Sequence, residues 1–283
     1  MIKLFSSRFL VLAIALLTMV ITLYWGASQG AFFWVNRATA APITTPKVHP
    51  LPPSLVLSAN NLENHDSREN YGENQTDNQA DNYFAEIKPT PLGYLVWSQF
   101  PIKVYLESAS SDLGIAEQER FANWTRTVTQ AVEEWTAYLP LELVSSSSGM
   151  DRAAITNSTD IQIWRSLPSQ RATRNPTTGE LDIPRAAAAQ TRYQFYLQAP
   201  ENILAHRFVI YLSPDQSPAY TLATARHEIG HALGIWGHST LETDVMYFSQ
   251  VRNPPPISER DVNTLRKIYQ QPTQLGWQVE NNP

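Results

Sequence analysis

The chain has 283 residues, 43% of them hydrophobic, enough apolar material for one sizeable domain with appendages. Its formal net charge is −5, and its 21 Lys and Arg residues form no cluster suited to a phosphate backbone, which argues against nucleic acid as a partner. There is no cysteine, so disulfides are excluded and cystine usage says nothing about the compartment.

Lys3 and Arg8 precede an apolar run over residues 9–25, long enough for a secretory core segment and just long enough to cross a bilayer. Residues 1–41 therefore read as a signal peptide, with small residues at Ala38-Thr39-Ala40 before Ala41, or as an uncleaved signal-anchor. Both fates export the rest of the chain. The positive flank puts the amino terminus inside and the remainder outside, whether secreted to the periplasm or medium or held on a membrane. From 42 to 92 the composition shifts: Pro46, Pro50, Pro52 and Pro53 are followed by a stretch of Asn, Asp, Glu and Gln. Such a segment buries too little apolar surface to offset ordering entropy, which predicts a flexible acidic linker.

Regular structure is predicted from Tyr94 onward. Residues 101–106 alternate as a strand. Over 116–139, Phe121, Trp124, Val128, Val132, Trp135 and Leu139 recur at helical intervals, predicting a long amphipathic helix on a sheet. Strands are predicted at 160–164, 191–197 and 206–212, with a polar surface loop over 168–184. One of the last two strands should be an exposed edge to which an extended peptide could add. A helix over 219–233 follows, then the Pro254-Pro255-Pro256 break. Ser258 is a good N-cap for a last helix with Asp261 three residues on and an apolar stripe of Val262, Leu265, Ile268 and Tyr269. The domain is expected to span 93–271 and a tail 272–283. No internal repeat is apparent.

The chemistry is concentrated in the run from His227 to His238. Residues four apart share a helix face, so His227 and His231 can each turn a ring nitrogen to one metal ion. Glu228, one step round, is placed as a general base for water on that ion. Gly234 accepts positive φ, so the helix can stop there and the chain can fold back to deliver His238. Three ligands leave a fourth position open, which separates a catalytic zinc site from a closed structural one.

These residues resemble the metzincin signature H-E-x-x-H-x-x-G-x-x-H, most of all its matrixin branch, the matrix metalloproteinases. The family pattern puts the third histidine at position 237, which is Gly237 here. His238-Ser239 followed by Asp244-Val245-Met246-Tyr247 is similar to the matrixin run from third histidine to Met-turn at its usual interval, so an inserted residue is expected and the ligand role passes to His238. Gly237 in a left-handed conformation would absorb the insertion. Met246 resembles the Met-turn methionine, an apolar floor beneath the rings and not a ligand; an ordinary core methionine is the plainer alternative. Tyr247 receives no catalytic role. Residues 131–135 with 140–143, and the helix after Ser258, are also similar to matrixin elements, so the likeness spans about residues 94–271.

The resemblance implies an α+β, zincin-like catalytic domain: a twisted mixed sheet with an edge strand, an active-site helix and a C-terminal helix. It implies one catalytic zinc ion on His227, His231 and His238, Glu228 as general base, and a peptide or protein substrate. Matrixin latency through a cysteine is excluded in a chain without one. Leu204-Ala205-His206 resembles a stretch that binds a second, structural zinc, but the remaining histidines, His49 and His65, lie in the linker. His206 is therefore expected to be a solvated strand-end residue, and neither structural zinc nor structural calcium is predicted. Two alternatives stand beside the peptidase: a third ligand from Glu242 or Glu259, and a catalytically silent, metal-binding module for binding or envelope assembly on the export side. Gly234 ends the helix too early for the first, and an intact Glu228 argues against the second.

Overall fold

The structure, a computed structural model, describes residues 44–56, 81–145, 151–168, 173–174, 181–182 and 188–279. The apolar run at 9–25, the small residues at 38–41 and most of the polar stretch at 60–82 lie outside the described residues. Among those that are described, no helix is long and apolar enough to cross a membrane.

The fold is α+β, built on a five-stranded mixed sheet. Its strands are β1 (Ile102–Leu106), β2 (Leu141–Val144), β3 (Ile161–Arg165), β6 (Ala189–Gln198) and β7 (Ile203–Leu212), in the order β2-β1-β3-β7-β6. The first four in that order run parallel, and β6 alone is antiparallel, paired with β7. β3 sits in the middle with Ile161, Gln162 and Ile163 all buried, as expected of a parallel strand covered on both faces. β7 alternates, burying Leu204, His206, Phe208, Ile210 and Leu212. Of the two candidate edge strands, β6 is the one at the edge. Within the expected surface loop, β4 (Thr173–Arg174) and β5 (Leu181–Asp182) form a small antiparallel pair.

Two long helices complete the core: α1 (Ile115–Thr136) and α3 (Pro218–Ala232), which pack against each other. α1 stops three residues short of the expected end. Tyr138 and Leu139 donate back to the Trp135 carbonyl in a turn, and Pro140 drives the residue before it out of helical φ/ψ. Leu139 is fully buried all the same, so the apolar spacing there reflected packing and not helix. A short helix, α2 (Arg152–Ser158), is capped by Asp151, whose side chain accepts from Ala154 N at 2.7 Å. The last helix, α4 (Glu259–Tyr269), begins in a full capping box of Ser258 and Asp261 and buries Val262, Leu265, Ile268 and Tyr269.

Both appendages differ from expectation. The ends of the supposed linker are part of the folded body: Leu55, Tyr83, Ile87 and Leu92 are buried in its core. Residues expected as a tail join them, with Lys47 and Thr273 exchanging backbone bonds at 3.0 and 2.9 Å. Trp277 O accepts from Leu204 N on β7 at 2.9 Å, and the Trp277 ring stacks on His49 at 4.2 Å. A few apolar side chains scattered among prolines suffice to anchor these segments, because each finds a place in an existing core. His206 is corrected as well. It is 3% exposed and packs on Trp97 with ring centroids 4.1 Å apart, and burial pushes its pKa down to about 3.

Candidate metal centre

α3 starts at Ser217, whose hydroxyl caps Tyr220 N, with Pro218 in the first turn where its missing N–H costs nothing. One turn separates His227 from His231, and their ring centroids lie 4.7 Å apart. The helix ends at Gly234, which has φ +120°, and a Cβ there would collide with the Leu95 carbonyl oxygen. The reversal carries the chain through Trp236 and Gly237 to His238, whose ring centroid is 5.2 Å from that of His227 and 5.0 Å from that of His231. One nitrogen from each ring lies within 4.8 Å of the others, and this is the one such group of three metal-ligating side chains among the described residues.

Two of the rings are oriented by backbone. His227 Nδ1 is 2.8 Å from Val245 O, and His231 Nδ1 is 2.7 Å from Ile235 O. A carbonyl can only accept, so both Nδ1 atoms carry the proton and both Nε2 atoms keep a lone pair. Burial lowers the pKa of all three histidines. His227 falls to about 4, the Val245 bond opposing; His231 falls well below its ordinary value, with His227 adding to the effect; His238 is lowered by burial and then by Lys88. The rings are thus neutral near pH 7, the form that ligates metals.

The extra residue in the turn is accommodated differently from expectation. Gly237 does not have positive φ. Its glycine is required by close approach, since a Cβ would run into the carbonyl oxygen of Glu86. The segment around residues 84–88 therefore braces the turn, with Lys88 N donating to Trp236 O at 3.0 Å. Beyond His238 the chain is held by Ser239 N donating to Met246 O at 2.8 Å. Met246 is fully buried, and its sulfur fills the space beside Gly230, between the two histidines of α3. The buried Asp244 and Asp261 carboxylates fix this loop to α4. Asp244 accepts from Ser239 and Ser258 hydroxyls and pairs with Arg260, while Asp261 accepts from Val245 N at 2.9 Å and from Tyr83 Oη at 2.5 Å.

Glu228 is 9% exposed, and its Oε2 accepts from the Thr191 hydroxyl on β6 at 2.5 Å. Burial pushes its pKa up to about 7, with the Thr191 bond pulling the other way. Glu228 lines two cavities. One of about 200 Å³ also takes in Tyr220, Thr224, His227, Val245 and Pro255; the other, of about 500 Å³, takes in Lys88, Thr191, Trp236 and His238. Phe248, 63% exposed, borders both.

All five residues singled out in the sequence, His227, Glu228, His231, His238 and Met246, therefore meet at one place. Glu242, by contrast, is exposed in the loop after Leu241, and Glu259 opens α4; neither belongs to the group of three. Thr191 and the 84–88 segment carried no signal in the sequence, because only strand register and a contact across about 150 residues bring them here. The chain matches no model of a known protein family and no curated protein.

Proposed function

We propose that the chain is a zinc-dependent endopeptidase with a matrixin-like, metzincin-type catalytic domain. The observation that carries this reading is the convergence of three imidazoles, two of them aimed through Nδ1 by backbone carbonyls, next to a buried glutamate. The donor set fits zinc. Imidazole nitrogens suit it, ligating histidines usually bond their second nitrogen to a carbonyl or carboxylate, and three protein ligands leave a position for chemistry. The mixed sheet with an edge strand, the helix bearing two histidines, the glycine reversal and the buried Met246 support the reading, because the resemblance leads one to expect them.

Bound zinc supplies Lewis acidity, acidifying water and polarising a peptide carbonyl. Glu228 takes the proton of the attacking water and returns it to the leaving amine. Its burial suits that role, because a pKa near neutrality lets one group both accept and donate. No described strand pairs with the outer edge of β6, so an extended peptide can lie along it. One of its side chains can then enter the cavity bordered by Tyr220 and Val245. Lys3, Arg8 and the apolar run after them support an exported enzyme.

The test compares the zinc-loaded chain and Glu228→Ala on a denatured protein, with and without chelator. The wild type should cleave it, stop with chelator and resume with added zinc. Glu228→Ala should bind one zinc and lose about 10²–10⁴-fold in rate. Unchanged turnover would remove Glu228 from its role, and a zinc-loaded wild type that cleaves nothing would return the site to a metal-binding module without turnover.

A further inference from the structure

The two oxygens of the Glu228 carboxylate are not equivalent. Oε2 is held at 2.5 Å by the Thr191 hydroxyl, which also lies 3.2 Å from the Glu228 carbonyl oxygen. Among the described residues no other donor reaches the carboxylate, so Oε1 has no partner among them. Thr191 is the third residue of β6 and stands opposite Ile210 of β7, which is fully buried. Directly paired residues of an antiparallel ladder project to the same face, so the register turns Thr191 inward, toward α3.

A glutamate side chain loses rotamer freedom when it is fixed, so free rotation about its bonds works against holding one oxygen in place. Here a single charge-assisted bond from a β-branched, and therefore stiff, residue on a sheet does the fixing. We propose that Thr191 is a positioning residue for the general base, pinning Oε2 of Glu228 so that Oε1 is the oxygen that takes and returns the proton. This rests on the hydrolase reading of the site. It also ties the base to the strand that bounds the groove, since Ala189 lines one cavity and Thr191 the other. A substrate laid along β6 is thereby registered against the same backbone that aims the base.

Thr191→Val keeps the shape and removes the hydroxyl, and Thr191→Ser restores it. Both are compared with wild type as zinc-loaded full chains, reading zinc stoichiometry, kcat and KM on denatured casein, and the affinity of acetohydroxamate, which gives its proton to the neighbouring carboxylate as it binds. Thr191→Val should keep its zinc and its KM, lose about 10- to 100-fold in kcat, and bind acetohydroxamate more weakly. Thr191→Ser should recover both losses. Wild-type kcat and acetohydroxamate affinity in Thr191→Val, or equal impairment of the two variants, would overturn the proposal. If the wild type cleaves no casein, the hydrolase reading fails and the acetohydroxamate comparison alone decides Thr191. A wild type that takes up no zinc overturns both.

Discussion

α1 and α3 lie side by side, joined by the bidentate Arg226–Glu134 pair and by Trp135 Nε1 donating to Arg226 O at 2.9 Å, yet they are built on opposite plans. α1 turns Phe121, Trp124, Val128, Val132 and Trp135 inward at every third or fourth position and leaves a mostly polar outer face, Ile115 at its start excepted. α3 buries mostly small or polar groups, among them Thr221, Ala225, Glu228 and Gly230, and carries His227 and His231 toward the groove. One helix is held by its own apolar stripe. The other is held by what surrounds it: Trp135 of α1, Met246 behind Gly230, and the Leu95 carbonyl against Gly234. Stability and chemistry are thus divided between neighbours, and substitutions should separate them.

Trp135→Ala should have the largest effect on folding, about 3–5 kcal/mol, for a fully buried indole that also loses its hydrogen bond. Urea unfolding in chelator reads it; a loss under about 1 kcal/mol would mean that α3 does not lean on α1. His238→Ala should do the reverse. Zinc affinity should fall more than about 100-fold, because a ligand is worth more than an outer-shell partner, while unfolding in chelator stays within about 0.5 kcal/mol for this exposed residue. Equal zinc affinity, by competition with a chromogenic chelator, would break the division.

Gly237→Ala should fall between these, costing about 1–3 kcal/mol as the turn and the 84–88 segment are pushed apart, and weakening zinc through His238. A neutral result would show that the brace yields. His206→Phe should be the mildest at neutral pH. With a folded pKa of about 3 against an ordinary 6.5, the unfolded chain binds the proton first as pH falls. Stability is then complete above pH 6.5 and drops by about 1.4 kcal/mol per pH unit below it, toward pH 3. The variant's loss of stability from pH 7 to 4, read in denaturant midpoints, should be shallower by that amount, with the buried His227 and His231 supplying a remaining slope, and an unchanged slope would remove His206 as a source.

Legibility in the sequence divides along the same line. α1 showed itself by periodicity and α3 by its motif, because small residues and histidines leave no stripe. β1, β3 and β7 were visible through alternation or β-branched runs, and Ser258 with Asp261 marked the start of α4 within a residue. Contacts distant along the chain were not visible. Leu55 and Tyr83 sit among prolines and polar residues, so composition gave them to a linker, although each fills a prepared hole in the core. Gly237 reads as an insertion absorbed in a left-handed turn because nothing in its neighbourhood announces Glu86. His206 looked solvated because its cover is Trp97, on another segment. In each case the missing information is the identity of the neighbour.

The most direct test is anomalous diffraction at the zinc edge from crystals of the zinc-loaded chain. One ion should appear with the Nε2 atoms of His227, His231 and His238 at about 2.0–2.1 Å and the Glu228 carboxylate outside the coordination sphere. An ion bound elsewhere, or held by His227 and His231 with the His238 ring turned away, would contradict the three-histidine centre and the hydrolase built on it.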